Sequence, residues 1–196
     1  MGAKQMSEIL TIDTTSGIVT EEKIESLPVF NDFLPMLSEV VPEYKHSLPN
    51  PIMTNLVKRL KITMTKYSGL GLAANQCGIF ERVFVIGTDQ FQIACINPKI
   101  IASSAEVERQ GEGCLSFPAL SLKIERPIWV DVEFTTENGE VKQMRLDGVT
   151  ARCFQHELDH LNGIKFTQHV GATSLLLAKQ KQAKMMKRYR KHEKNL

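Results

Sequence analysis

The sequence lacks the features that would assign it to a membrane or secreted class. It contains no apolar run near the roughly 20 residues that span a bilayer, and its first thirty residues carry no charged-then-apolar signal pattern. Only four of its 196 residues are cysteines, at irregular spacing, which excludes the dense disulfide framework of a small secreted domain. We therefore expect a cytoplasmic protein without a membrane partner, in which Cys77 and Cys95 are buried apolar side chains.

Acidic residues are missing from one long segment: residues 161–192 contain no Asp or Glu. Residues 179–196 hold eight Lys or Arg and one Glu, a net charge of +7, whereas the remaining 178 residues carry a net charge of −5. The overall content of 42% hydrophobic and 23% charged residues is typical of one globular domain. We predict a main domain over residues 1–170 and a basic helical tail over residues 171–196, and DNA is not among the expected partners.

The hydrophobic periodicity predicts three helices. Apolar residues recur every four positions from Ile52 to Met64, which predicts a helix over Pro51–Tyr67. The segment 68–71 should end this helix, because its glycines accept a positive φ. A second helix is predicted from about Val149 to Leu161, and a third after Gly171 into the tail. Five prolines predict short helices and loops over residues 1–50.

Between the first two helices the period changes to that of strands. Short segments rich in Val, Ile and Phe are predicted as antiparallel strands over residues 82–86, 91–96, 99–102, 120–124, 128–134 and 140–146. The sequence Glu137-Asn138-Gly139 predicts a hairpin turn, since Asn and Gly tolerate left-handed backbone angles. The predicted fold class is α+β, with antiparallel sheets packed around a central metal-binding helix.

The strongest chemical signal is the segment His156-Glu157-Leu158-Asp159-His160. Two histidines four positions apart lie on one face of a helix, so both imidazoles can bind one metal ion. Glu157 projects beside them toward an attacking water. The pattern indicates a metallohydrolase, a class whose sites usually combine three protein ligands with a water.

The third ligand decides the class of metallohydrolase. One metalloprotease pattern takes a histidine six residues after the second one, but Phe166 occupies that position and cannot coordinate. Another pattern needs a glutamate roughly twenty residues downstream, where the sequence has none. Two candidates stay open: His169 downstream, and Cys114 upstream in the segment Glu112-Gly113-Cys114-Leu115-Ser116. The thiolate of Cys114 would complete a site of one cysteine and two histidines.

A third segment, Gly69-Leu70-Gly71-Leu72-Ala73-Ala74-Asn75-Gln76, is rich in small residues. Its glycines and alanines leave the backbone open to close approach, so an extended peptide could pair with it as an added strand. Gln76 offers an amide donor to a developing oxyanion.

In the order in which they follow along the chain, the three segments resemble those of peptide deformylases, the metallohydrolases that remove the formyl group from newly made N-formylmethionyl peptides. The resemblance covers roughly residues 51–168. It implies metal ligation by Cys114, His156 and His160, with Glu157 as the general acid and base for a metal-activated water that attacks the formyl carbon. It implies that Gln76 and the Leu115 amide hold the formyl oxygen, and that Leu70 and Gly71 hydrogen-bond the peptide backbone. It also implies a methionine pocket formed with Gly69, Glu112, Gly113 and Cys153.

The same resemblance implies one divalent metal ion, with Fe²⁺ as the native ion, although the donors also suit Zn²⁺, Ni²⁺ and Co²⁺. The expected partner is an N-formylmethionyl peptide, and the products are formate and a free amino terminus. The basic tail is predicted to bind ribosomal RNA, with a solvated helix that only aids solubility as the alternative. Phe117 stands where the family commonly has Ile or Val, and is expected to reshape the approach to the site.

Overall fold

The computed structural model describes residues 8–12, 19–88 and 91–193, and within these ranges the fold is α+β, as predicted. The strands are β1 (Glu8–Ile12), β2 (Val19–Lys23), β3 (Gly71–Ala73), β4 (Val83–Thr88), β5 (Phe91–Ser103), β6 (Val107–Cys114), β7 (Phe117–Pro127), β8 (Trp129–Thr135) and β9 (Val141–Asp147). The helices are α1 (Pro51–Lys66), α2 (Gly148–Leu161) and α3 (Ala172–Glu193).

A central sheet of five antiparallel strands runs in the order β3-β4-β5-β8-β9. Side chains of β4 alternate between its two faces, as the period of a strand requires. Val83 and Val85 belong to a buried cluster with α1, whereas Phe84 and Ile86 belong to a second cluster with α2. Both faces of the sheet are therefore apolar, and one helix covers each.

Strands β6 and β7 form a separate hairpin that covers the other side of α2. Cys114 ends β6 and Phe117 begins β7, so the connection consists of Leu115 and Ser116 alone. The pairing register shifts between Gly113 and Cys114. This irregular end of the hairpin lies beside α2, which confirms the predicted packing of antiparallel strands around that helix.

Helix α1 begins at Pro51 as predicted, but a different residue from the one expected adopts the positive φ after its last turn. The Asn50 side chain accepts a hydrogen bond of 2.9 Å from the Ile52 amide, which caps the first turn ahead of Pro51. The segment 68–71 follows the end of the helix as predicted, but the positive φ falls on Ser68, at 54°, and not on a glycine. The Gly69 amide donates to the Met64 carbonyl at 2.9 Å, which closes the turn.

The strand predictions are confirmed in the middle of the chain and incomplete elsewhere. The turn at Gly139, with φ of 85°, joins β8 to β9 as predicted. The two segments predicted over residues 91–102 are one strand, β5, whose pairing is irregular around Asn97. β3 and β6 were not predicted, because their glycines hide the strand pattern.

The amino-terminal prediction of short helices and loops is wrong for residues 8–12 and 19–23, where β1 and β2 pair as antiparallel strands. Residues 1–7 and 13–18 of that region lie outside the described residues, as do residues 194–196 of the predicted tail. α3 confirms the predicted third helix, and the division between main domain and tail stays a prediction. Within the described ranges, no helix combines the length and apolar character that crossing a membrane requires.

Candidate metal centre and substrate cavity

Cys114, His156 and His160 meet at one point between α2 and the end of the β6–β7 hairpin. One ligand atom from each lies within 4.8 Å of the others. Cys114 Sγ is 3.2 Å from His160 Nε2, and the two buried imidazoles lie one helical turn apart. Among the described residues this is the one group of three or more His, Cys, Asp or Glu side chains with such geometry.

This donor set fits a divalent cation that prefers sulfur and nitrogen. His156 Nδ1 lies 3.0 Å from the Glu112 carboxylate, so its Nε2 is left for the ion. Such a carboxylate–imidazole contact fixes the ring orientation of a metal ligand. Oε2 of the buried Glu157 has no hydrogen-bond partner among the described residues, and Glu157 lines the same cavity as His156. The site therefore combines three donors with a free proton acceptor beside them.

Burial shapes the protonation of the Glu157 carboxyl. The side chain is buried at the floor of the cavity, and this desolvation raises its pKa to about 7. A carboxyl group in such surroundings holds and releases a proton more readily near neutral pH than an exposed one.

Glu112 is the centre of a buried charge network behind His156. Its carboxylate accepts hydrogen bonds of 2.7 Å from Arg126 Nε and from Arg152 Nη1. Arg126 also donates to Asp159 at 2.8 Å. Burial alone would raise the pKa of Glu112, but hydrogen bonds from His156 and Arg126 outweigh it and lower the pKa to about 2. The ionised carboxylate therefore stays in place to orient His156.

Arg152 is a member of this network that was not predicted from the sequence. Arg152 is buried on α2 and also donates to two backbone carbonyls, those of Glu108 and Ile124. A signal was present, because an arginine four positions before His156 on a helix that packs into the core requires an acidic partner. The partner, Glu112, lies on the β6–β7 hairpin, so the sequence of the helix does not reveal it.

Gln76 reaches the metal centre from the segment after β3. Its Nε2 lies 3.5 Å from Cys114 Sγ and donates to Ser116 Oγ at 3.2 Å. Its Oε1 accepts a 2.9 Å hydrogen bond from the Ala73 amide, which fixes the orientation of the side-chain amide. The donor group of Gln76 therefore faces the three ligands, as an oxyanion donor must.

A cavity of about 680 Å³ opens over the metal centre. The residues that the resemblance assigned to substrate all line it, namely Gly69, Leu70, Gly71, Glu112, Gly113, Leu115 and Cys153. Burial raises the pKa of the Cys153 thiol well above its usual value, and this thiol donates to the Leu70 carbonyl at 3.1 Å. Cys153 is not one of the three converging donors, which is consistent with a wall of the pocket.

Neither His169 nor Phe166, the two downstream positions considered for the third ligand, is a metal ligand. His169 Nε2 lies 2.8 Å from Asp159 and outside the group of donors, so it is not the third ligand. Phe166 is buried, and its ring packs edge-on against Phe117 at 5.1 Å and His156 at 5.7 Å between centroids. Position 166 therefore supports a metal ligand by packing.

Gly71 is the position where the lack of a side chain matters most. A Cβ atom there would overlap Glu157 Oε1 and lie 2.7 Å from Cys153 Sγ. We expect Gly71→Ala to lower kcat/KM by about 100-fold, since a displacement near 1 Å of a catalytic group costs roughly that factor. Gly171→Ala is the matched control, because a Cβ at that position meets nothing within 4 Å. Unchanged turnover of Gly71→Ala in a formate-release assay would contradict this packing argument.

A thiol and two imidazoles beside a buried carboxylate, at the floor of a cavity, define the site of a metallohydrolase. A family model described as polypeptide deformylase matches residues 27–175. The chain belongs to the polypeptide deformylase family. It is accordingly a hydrolase that removes the N-formyl group from nascent polypeptides.

Relatives in sequence and in structure agree with this assignment. The chain is 41% identical over 125 residues to a peptide deformylase of Thermotoga maritima, a match that covers 64% of this chain and 76% of that protein. It is 45% identical over 121 residues to a peptide deformylase of Prochlorococcus marinus, which covers 59% of each. The crystal structure of a peptide deformylase from Synechococcus elongatus in complex with actinonin superposes with a TM-score of 0.74 at 35% identity, over 80% of this chain and 86% of that one. A Legionella pneumophila peptide deformylase gives 0.76 at 27% identity, over 83% and 96%.

Proposed function

We propose that the chain hydrolyses N-formylmethionyl peptides at the centre formed by Cys114, His156 and His160, with Glu157 as the general acid and base. The observation that carries this proposal is the convergence of three ligand atoms within 4.8 Å, with the free Oε2 of Glu157 beside them. A divalent cation held by these residues would lower the pKa of water toward neutrality and polarise the formyl carbonyl.

The edge of the central sheet is proposed to bind the peptide backbone. β3 is an outer strand of that sheet, and the cavity runs along Leu70 and Gly71 at its start. An extended peptide can add to such an edge, with its methionine side chain in the pocket of Gly69, Glu112, Gly113 and Cys153. A class I type b peptide deformylase of Acinetobacter baumannii with Met-Ala-Ser bound has the same fold, at 30% identity and a TM-score of 0.70, over 74% of this chain and 98% of that one.

The proposed proton transfers begin and end at Glu157. Its carboxylate accepts a proton from the attacking water, whose oxygen adds to the formyl carbon. The amide side chain of Gln76 and the backbone N–H of Leu115 donate to the resulting oxyanion, and one such donor is typically worth about 10² to 10³ in rate. Glu157 then gives the proton to the departing nitrogen as the C–N bond breaks. The products are formate and a peptide with a free amino group.

Fe²⁺ is the proposed native ion. A thiolate and two imidazoles also suit Zn²⁺, Ni²⁺ and Co²⁺, so occupancy depends on more than the order of affinities. Protein loaded anaerobically with one equivalent of Fe²⁺ should be more active than protein loaded with one equivalent of Zn²⁺. Equal activity of the two preparations would argue against iron.

Formate release from formyl-Met-Ala-Ser tests the reaction itself. The proposal requires stoichiometric formate from this peptide and no release of acetate from acetyl-Met-Ala-Ser under the same conditions. Cleavage of internal peptide bonds without formate release would identify an endopeptidase instead.

We propose that α3 binds the ribosome through its basic side. Lys184, Lys187 and Arg188 of α3 are exposed. Leu175 and Ala178 of the same helix pack against the β7 cluster, which consists of Phe117, Leu120, Leu122, Ile124 and Phe166. We expect reversal of these three charges to glutamate to weaken ribosome co-sedimentation by about tenfold or more at low salt, because phosphate contacts dominate such binding. The same reversal at three exposed lysines outside α3 is the control, namely Lys45, Lys123 and Lys142. Equal binding by both triple variants and the unaltered chain would remove the proposal.

The cytoplasm is the proposed location. All four cysteines lie in the described part of the chain and are free. Free thiols are typical of a reducing compartment, which is also where ribosomes supply the substrate.

A further inference from the structure

The far carboxyl-terminal part of the chain reaches the substrate cavity. Met185 of α3 lines the same cavity as Cys114 and His156, together with Phe117, Ala119 and Leu120 of β7. Residue 185 belongs to the predicted basic tail and lies ten positions beyond the end of the family match at residue 175.

The packing of α3 explains how Met185 arrives there. Leu175, Ala178, Gln182 and Met185 follow at intervals of three, four and three positions, so they share one face of the helix. Leu175 and Ala178 pack against the β7 cluster, and Gln182 Nε2 donates to the Pro118 carbonyl at 2.8 Å. This contact holds the next turn of α3 over the start of β7 and places Met185 at the cavity.

The chemistry of this wall is apolar. Phe117 and Leu120 are buried, and the Met185 side chain is 41% exposed, so part of it is available to a ligand. Methionine is flexible and polarizable, and it adapts to apolar groups of varied shape. The wall belongs to β7 and α3, whereas the proposed methionine pocket belongs to β6, α2 and the segment before β3.

We propose that Met185, together with Phe117 and Ala119, forms a subsite for an apolar side chain downstream of the N-terminal methionine of the substrate. This inference rests on the proposed function, since it places the peptide in the same cavity. In this proposal α3 contributes to substrate specificity, in addition to its proposed role at the ribosome.

The test compares substrates with and without the downstream group. Met185→Ala should lower kcat/KM for formyl-Met-Leu-Leu by about 4-fold to 15-fold, the equivalent of one or two methylene contacts. The kcat/KM for formyl-methionine amide, which has no downstream side chain, should not change. Met185→Gln keeps the length of the side chain and should show the same selective loss.

Met186→Ala is the matched control, because Met186 is a part-buried methionine of the same helix that does not line the cavity. An equal loss in Met186→Ala, an equal loss for both substrates, or no loss for formyl-Met-Leu-Leu would each overturn the subsite. Thermal unfolding of each variant shows whether α3 stays packed. Failure of the proposed function would be seen differently, as an absence of formate from the unaltered protein.

Discussion

Glu157→Gln is expected to lower the turnover for formate release by about 10² to 10⁴-fold while the metal stays bound, the range typical of a lost general acid and base. Glu157 is 4% exposed, and its Oε2 is a free acceptor beside the three ligands. Glutamine has nearly the same shape, so the packing against Gly71 is retained. Its amide, however, cannot accept the proton of the attacking water.

Metal content and activity must be measured on the same preparation of the Glu157→Gln variant. Glu125→Gln is the matched control, because Glu125 is an exposed carboxylate on β7 away from the cavity lining. Near-normal turnover of Glu157→Gln with full metal content would show that another group moves the proton. Loss of the metal from this variant would show that Glu157 is a ligand.

Cys114→Ala is expected to have the second large effect, a loss of metal affinity greater than 100-fold. Replacing a group that only orients a metal ligand typically costs about 10-fold to 100-fold in affinity, and removal of a ligand itself should cost more. Cys114 supplies the one sulfur among the three converging donors. Activity at limiting metal should fall with the metal content.

The control for Cys114→Ala is Cys95→Ala. Cys95 is fully buried in β5 and is not one of the three converging donors. Equilibrium dialysis with Co²⁺ should give one equivalent for Cys95→Ala and far less for Cys114→Ala. Equal binding by both variants would remove Cys114 from the metal centre.

The half of the centre on α2 could be predicted from the sequence because its geometry is local. His156 and His160 are four positions apart, and any α-helix brings such a pair onto one face. Cys114 lies 42 positions before His156 and on a different element. Spacing alone therefore could not choose between Cys114 and His169 as the third ligand. The resemblance to peptide deformylases favoured Cys114.

The residues around the metal centre come together through the packing of separate elements. A local sequence pattern cannot predict such packing. The carboxylate of Glu112 faces His156 because the β6–β7 hairpin lies against α2. Met185 reaches the cavity because Gln182 of α3 binds the carbonyl of Pro118. Gly71 of β3 allows the close approach of Glu157 and Cys153, so the strand pattern is weak where the site is built.

Anomalous diffraction from crystals of the metal-loaded protein would locate the cation itself. We expect one cation within coordination distance of Cys114 Sγ and of the Nε2 atoms of His156 and His160, with one position left to solvent or substrate. A cation bound elsewhere, or one whose remaining position is filled by the thiol of Cys153, would contradict this expectation.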